Sequence, residues 1–296
     1  MKAISIVIVT SNSSKYIESC LDSILMQDFK DYEIIVVDNG SKDSTIPIIK
    51  NRYASVKLIC NLKNFGPCCA RNQGINNSSG KFVLCLDYDV KILDNFLTNI
   101  YKAIEKRDKV GAIGPKILMS NGKTIYSAGI HFSYLWKFYD IGDAKIDTAA
   151  FGLKKNVEGV SAAAVIYKRE ALETIKQDGE YFDEDFFYLF EDVDISWRLR
   201  KKNWEITYTP DAVCLHVSGR SRNKDKYSQY LSMRNRYLAI IKNESLSSLP
   251  RLFVVFFIYD LWRNMFMLVT NAGYFLRAWY EILGLFKKML KKRCKP

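Results

Sequence analysis

Three pairs of aspartates stand two residues apart in this chain: Asp87 and Asp89, Asp183 and Asp185, Asp192 and Asp194. Two carboxylates at that spacing can hold a hard divalent ion such as Mg²⁺ or Mn²⁺, which typically shares substrate phosphates with the protein. Spacing alone selects none of them, because 20 aspartates in 296 residues supply such pairs by chance. Context does. Only Asp87 and Asp89 directly follow an apolar run that reads as a buried strand, Lys81-Phe82-Val83-Leu84-Cys85-Leu86. That pair is therefore the metal and phosphate candidate. Glu191 and Asp192 open a segment of helical period that continues to Lys201. Carboxylates there can be held by the free N–H groups of a first turn, or can take a proton in catalysis. Of the two histidines, His131 reads as structural, whereas His216 ends the apolar strand Ala212-Val213-Cys214-Leu215.

The elements that position these groups are legible in the first ninety residues. Ile4–Val9, Glu33–Val37, Val56–Cys60 and Phe82–Leu86 are short aliphatic or β-branched runs, and between them lie segments of helical period over 16–26, 44–53 and 67–76. Strands alternating with helices predict parallel βαβ units and a sheet covered on both faces. Ligands of such sheets bind outside the carboxyl ends of the strands. Those ends are polar in every case: Thr10-Ser11-Asn12, Asp38-Asn39-Gly40-Ser41, Asn61 to Asn64 with Gly66, and Asp87-Tyr88-Asp89. No glycine follows the first strand and no P-loop pattern occurs, which excludes the dinucleotide and P-loop motifs.

The 48% hydrophobic and 26% charged composition excludes a disordered or collagenous chain. Seven cysteines at 20, 60, 68, 69, 85, 214 and 294 form no C-x-x-C pair and read as reduced thiols of a cytosolic compartment. The N-terminus reads as a first strand and not as a signal peptide. Of the net charge of +12, residues 246–296 carry +7, from nine Lys and Arg against Asp260 and Glu281. The same region is rich in large apolar residues, and Asp260, Arg263 and Arg277 interrupt it. It therefore reads as an interfacial segment and not as a span. From Tyr274 to Arg293, apolar residues recur at three- and four-residue spacing, and the terminal Lys287-Lys288-Met289-Leu290-Lys291-Lys292-Arg293 reads as a cluster for anionic headgroups. A helix packed on protein is the plainer alternative.

The succession Ser5-Ile6-Val7-Ile8-Val9-Thr10, Val36-Val37-Asp38-Asn39-Gly40-Ser41, Asn64-Phe65-Gly66 leading to Ala70-Arg71-Asn72, and Leu86-Asp87-Tyr88-Asp89 resembles glycosyltransferase family 2. Phe182-Asp183-Glu184-Asp185 and Glu191-Asp192-Val193-Asp194-Ile195-Ser196-Trp197 are similar to its rhamnosyltransferase-like branch. The resemblance covers roughly residues 1–240. It implies an α/β fold of GT-A type: a nucleotide-binding αβα sandwich with a mostly parallel sheet, to which a C-terminal amphipathic helical segment is added. The corresponding division is a GT-A domain over 1–243, with a donor half over 1–115 and an acceptor half over 116–243, then the helical segment over 244–296.

By the resemblance, Thr10, Asn12, Asp38, Asn64, Arg71 and Asp87 belong to the site of the donor, with Asp38 facing the nucleobase. Asp87 and Asp89 match the metal-binding motif, and His216 completes the metal shell. Asp192 is the general base, with Glu191 beside it. The implied reaction is inverting transfer from a uridine or thymidine diphosphate sugar to a hydroxyl of a lipid-linked or cell-surface glycan, with Mn²⁺ or Mg²⁺. Two departures from the family pattern, Asn39 after Asp38 and Cys68-Cys69 before Ala70, leave the donor open.

Further expectations concern loops and partners. Arg220, Arg222 and Lys224 could close over a diphosphate as a lid or form a solvated loop. Small residues over 160–165 could admit a sugar, and the aromatic stretch 134–139 reads as an exposed loop. An anionic membrane surface at the cytoplasmic face is the expected partner of the tail, with monotopic or peripheral attachment. No nucleic-acid partner is expected, and a homodimer is left open. The alternative reading is a membrane- or nucleic-acid-binding protein on a catalytically silent GT-A scaffold.

Overall fold

A computed structural model describes residues 2–218 and 225–293. The chain begins with β1 (Ile4–Thr10), α1 (Ile17–Leu25), β2 (Tyr32–Asp38), α2 (Thr45–Arg52), β3 (Lys57–Cys60), α3 (Pro67–Asn76) and β4 (Phe82–Asp87), each within about one residue of its predicted bounds. α1 buries Ile17, Cys20, Leu21 and Ile24, the face that a 3.6-residue period presents to a sheet. β1 is buried along its whole length because helices cover both faces. The chain continues through β5 (Val90–Ile92), α4 (Phe96–Glu105), β6 (Val110–Met119), β7 (Ile125–Ser127), β8 (Ile130–Phe132) and β9 (Phe138–Asp140). It then forms β10 (Lys155–Asn156), β11 (Ala164–Lys168), α5 (Arg169–Ile175), α6 (Glu191–Lys201), β12 (Glu205–His216) and α7 (Lys226–Asn243).

Ten strands make one sheet in the order β10-β12-β6-β11-β4-β1-β2-β3, with β5 on β12 and β7 on β6. β1 is parallel to β2 and to β4, so the chain leaves β1 in one direction and returns on its other side. The crevice at such a switch point is where ligands bind in open α/β sheets. Register fixes what faces it: Thr10 pairs with Asp38, and Val9 with Asp87. β11 runs antiparallel between β4 and β6, and β12 returns parallel to β6. The antiparallel pairing of β12 with β5 sets His216 opposite Val90, one residue from Asp89.

In the other two aspartate pairs, Asp183, Asp185 and Asp194 are engaged by protein cations. Lys242 of α7 donates to Asp183 at 2.7 Å and to Asp194 at 3.0 Å, and Arg198 reaches Asp194 at 2.9 Å. Although burial raises the Asp183 carboxyl, Lys242 and Lys292 hold it well below the usual carboxylate range. Removing one partner of such a buried network strands the opposite charge. Lys242→Met is expected to cost about 3–5 kcal/mol of folding stability, measured by urea denaturation.

The C-terminal region shares the core of the enzyme-like body. α8 (Leu249–Val255), a π-helical turn (Phe256–Asp260) and α9 (Leu261–Thr270) run on continuously, and α10 (Ala272–Lys291) follows. Residues 250–270 are long and apolar enough to cross a membrane by length and composition. Yet both ends are tied to the same body. Arg251 donates to the carbonyl of Tyr134 at 2.8 Å, while Asn264 reaches the Tyr237 hydroxyl at 2.8 Å and Asn271 reaches Gln229 at 3.2 Å. Asp260 is turned inward onto Arg236 at 2.6 Å, which explains a charge within an apolar run.

α10 corrects the reading of the basic terminus as a headgroup cluster. Lys292 is buried and donates to Asp183 at 2.6 Å and Asp185 at 2.9 Å, Lys288 pairs with Asp185 at 2.7 Å, and Arg293 donates to the Ile241 carbonyl at 2.9 Å. Those cations fasten the helix to the acidic motif. Its Ala278, Ile282 and Met289 are buried against the body, while Leu276, Tyr280 and Leu283 on another face are exposed. The aromatic stretch 134–139 is also corrected in part: Trp136 is buried and donates to Glu244 at 2.9 Å. Cys20, Cys68, Cys85 and Cys214 are buried free thiols, and Cys294, like Arg220, Arg222 and Lys224, lies outside the described residues.

Candidate active site

A cavity of about 320 Å³ opens at the switch point, walled by Thr10, Asn64, Arg71, Asp87, Glu191 and Asp192 among others. Six of the ten residues singled out in the sequence therefore meet around one space. Arg71 of α3 is the centre of this wall, 3% exposed, and it donates to Asp87 at 2.8 Å and to Glu191 at 2.8 Å. One guanidinium thus joins the end of β4 to the start of α6 and fixes two carboxylates, the farther of them 120 residues from Arg71 in sequence. Arg71 points at protein carboxylates, so its contribution is to orient them.

Asp192 has no such cation. Its Oδ1 accepts from the Val193 N–H at 2.8 Å. Burial, then the neighbouring carboxylates of Glu191 and Asp140, pushes its carboxyl up to about 7. A carboxyl with that value, on a cavity wall, can accept a proton near neutral pH.

Asp87, Asp89 and His216 bring one ligand atom each within 4.8 Å of one another. Burial raises the Asp87 carboxyl and the Asp89 charge raises it further, against the pull of Arg71. His216 is stacked on Tyr126 with centroids 4.4 Å apart, and its buried Nδ1, 3.6 Å from Asp89, has no hydrogen-bond partner. Two crowded carboxylates with an unsatisfied imidazole nitrogen fit a divalent cation of Mn²⁺ or Mg²⁺ type.

Asn12 and Asp38 sit behind the cavity instead of lining it. Both oxygens of the fully buried Asp38 accept from Ser41, one from its N–H at 2.9 Å, because the chain must turn sharply after β2. Asn12 takes a left-handed backbone and accepts from the Lys42 N–H at 2.8 Å, pinning that turn to the loop after β1. Asn64 accepts from the Gly66 N–H at 2.8 Å. His131 lies apart, its Nδ1 at 3.2 Å from Glu158.

Other site features escaped the sequence reading. Phe187, Leu189 and Phe190 all have φ between 64° and 70°, a costly conformation for bulky residues, directly before Glu191. α7 holds this stretch: the fully buried Asn235 donates to the carbonyls of Phe186, Tyr188 and Leu189 at 2.7–2.9 Å, and Arg234 donates to that of Asp185 at 2.7 Å. Gly66 is required opposite, since its φ is +86° and a Cβ there would lie 2.6 Å from the Phe187 ring. The available signal was Arg234-Asn235-Arg236, a polar triplet midway along α7.

Comparison with known proteins agrees with this geometry. Residues 5–176 match the model of "Glycosyl transferase family 2". A poly-β-1,6-N-acetyl-D-glucosamine synthase of Staphylococcus epidermidis is 30% identical over 223 residues, 72% of this chain and 50% of that protein. The chain spans about half the length of that relative. Among solved structures, S. aureus TarS 1–349 in complex with UDP-GlcNAc is 20% identical with a TM-score of 0.62, covering 97% of this chain and 81% of that one. The mannosyltransferase PcManGT of Pyrobaculum calidifontis with GDP-Man and Mn²⁺ is 17% identical with a TM-score of 0.61, covering 99% and 84%. These two likenesses are of fold, and the set as a whole does not single out the rhamnosyltransferase-like branch. With over half of its length matched by the family model and a GT-A-type sheet carrying the expected strand-end residues, the chain belongs to glycosyltransferase family 2.

Proposed function

We propose that the protein is an inverting glycosyltransferase that moves a sugar from a nucleoside diphosphate, most readily UDP, to a hydroxyl of a glycan or lipid-linked glycan. The observation that carries this reading is the single cavity shared by Asp192, an uncompensated carboxyl, and Asp87, a member of the cation-type cluster. The relative that makes poly-β-1,6-N-acetyl-D-glucosamine favours a UDP-linked amino sugar.

In this reading Thr10 and Asn64 border the nucleotide, and Asp87, Asp89 and His216 would hold Mn²⁺ or Mg²⁺. When bound, the ion supplies positive charge to the diphosphate leaving group. Asp192 removes the proton of the attacking hydroxyl. Glu191, locked on Arg71, raises the basicity of Asp192 and stays in place as α6 is presented. The clamp of Asn235 on the left-handed turn positions both.

The exposed apolar face of 250–270, where Trp262 is 65% and Val269 83% exposed, supports attachment to a membrane surface on the side of the catalytic body. We assign this attachment to the cytoplasmic face, peripheral or monotopic, with residues 244–296 carrying it and 1–243 as the catalytic part.

Release of UDP from UDP-sugars in the presence of a glycan acceptor tests the reading. Asp192 works as a base only when ionised, so kcat/KM is expected to climb with pH and reach half its limit near pH 7. A profile flat from pH 5 to 8 would remove Asp192 from the base role.

A further inference from the structure

Beside the donor cavity lies a larger one, about 460 Å³, enclosed by β9 and the residue before it, α7 and the segment 250–270. Its wall combines the rings of Tyr139, Tyr259 and Phe266 with the cations Lys137, Arg236 and Arg263. Arg236 is committed, to Asp260 at 2.6 Å and to the carbonyls of Trp136 and Leu135 at 2.9 and 3.0 Å. Among the described residues neither Lys137 nor Arg263 forms an ion pair, although the Arg263 charge joins that of Arg236 in acting on Asp260, and Lys137 Nζ rests 4.3 Å from the centre of the Tyr259 ring. Net positive charge thus remains in a space whose other walls are mainly aromatic, with Gln229, Ser232 and Met267 among them, and whose outer helix exposes Trp262, Met265 and Phe266. Phe190, on the left-handed turn just before Glu191 and Asp192, borders both cavities.

We propose that this second cavity receives the phosphate or diphosphate group of a lipid-carried acceptor, with Lys137 and Arg263 on the phosphate oxygens and the lipid chain along the apolar face of residues 250–270. The assignment rests on the glycosyltransferase reading above and names its acceptor class. A free anion would leave the apolar walls unused, and a neutral lipid would leave the two cations unpaired. From this seat the acceptor passes Phe190 to reach Asp192, so one residue separates the anchoring of the acceptor from its deprotonation.

The test is isothermal titration of the full chain with decyl phosphate below its micelle concentration, beside decanol and inorganic phosphate. Decyl phosphate is expected to bind at least tenfold more tightly than either. Lys137→Gln and Arg263→Gln should each weaken it about tenfold, a change of about 1.4 kcal/mol, and Arg263→Lys should restore most of the loss. Lys137 is exposed, so its substitution keeps the test valid if an Arg263 variant fails to fold. Equal affinity for decyl phosphate in the wild type and the double Gln variant, with UDP binding retained in both, would overturn the lipid-phosphate site alone. Inorganic phosphate binding as tightly as decyl phosphate would overturn the lipid source. Absence of UDP binding in the wild type would instead overturn the donor reading on which the proposal rests.

Discussion

Asp192→Asn is expected to lower sugar transfer by about 10²- to 10⁴-fold, the usual contribution of a positioned general base, and to leave UDP binding unchanged. The amide keeps the shape of the side chain and its hydrogen bond from Val193, so α6 and the left-handed turn before it stay as they are. What is lost is the ability to accept a proton. The same substitution has a signed effect on stability. Burial and the Glu191 and Asp140 charges raise the Asp192 carboxyl to about 7 in the folded chain, so the folded state binds a proton that the unfolded state has released. Stability of the wild type therefore falls as pH rises from the ordinary carboxylate range to about 7, and the Asn variant escapes that loss. At pH 8 Asp192→Asn should melt at a higher temperature than the wild type, with the gap closing at pH 4. Slower turnover with a lower melting temperature at pH 8 would point to a structural role.

Asp89→Asn is expected to abolish the metal dependence of nucleotide binding. Asp89 is buried, faces His216 and accepts from the Ser218 hydroxyl, so the amide can occupy the same space. Substitution of groups that merely support metal ligands costs about 10–100-fold in affinity or activity, and loss of a ligand charge should cost at least about the upper figure. UDP affinity of the variant should match that of the wild type in chelator, whether or not Mn²⁺ is added. Retention of a full Mn²⁺ effect in Asp89→Asn, read by titration with UDP, would exclude the cluster as the cation site.

The parts of this site that were legible in the sequence are those set by local rules. A buried strand ending in Asp87-Tyr88-Asp89 is a pattern of five apolar residues followed by two acids, and the sheet's topology then places it at the crevice. His216 could be suspected for the same reason, as the polar end of a strand. Choosing Asp87 and Asp89 over the other two pairs was justified by strand context, and the structure supplies the complementary reason: Asp183, Asp185 and Asp194 are spent on Lys242, Arg198, Lys288 and Lys292.

The remainder depended on pairings between distant residues. Lys292 meets Asp183 across 109 residues, so a terminal basic run that resembles a lipid-binding patch is half consumed in fastening α10. Periodicity identified the amphipathic helix but not which face meets protein. The left-handed run at Phe187, Leu189 and Phe190 contains no glycine or asparagine to announce it, and the Arg234 and Asn235 side chains, nearly fifty residues later, explain how it is held. Asp38 faces the nucleobase by the resemblance, and in the fold its two oxygens also accept from Ser41 in the turn after β2. A strand-end position shows where a residue lies and leaves open whether its side chain serves the ligand or the loop.

The central claim is that the crevice at the ends of β1 and β4 binds a nucleoside diphosphate together with a divalent cation. Thermal melting of the wild-type protein with UDP, in Mn²⁺, Mg²⁺ or chelator, tests it directly, since a ligand confined to the native state raises the melting temperature by mass action. UDP is expected to stabilise the protein with either metal, and the stabilisation is expected to disappear in chelator. A folded protein whose melting temperature is the same with and without UDP and metal, and with other nucleoside diphosphates, would contradict it and favour a catalytically silent scaffold that binds membranes.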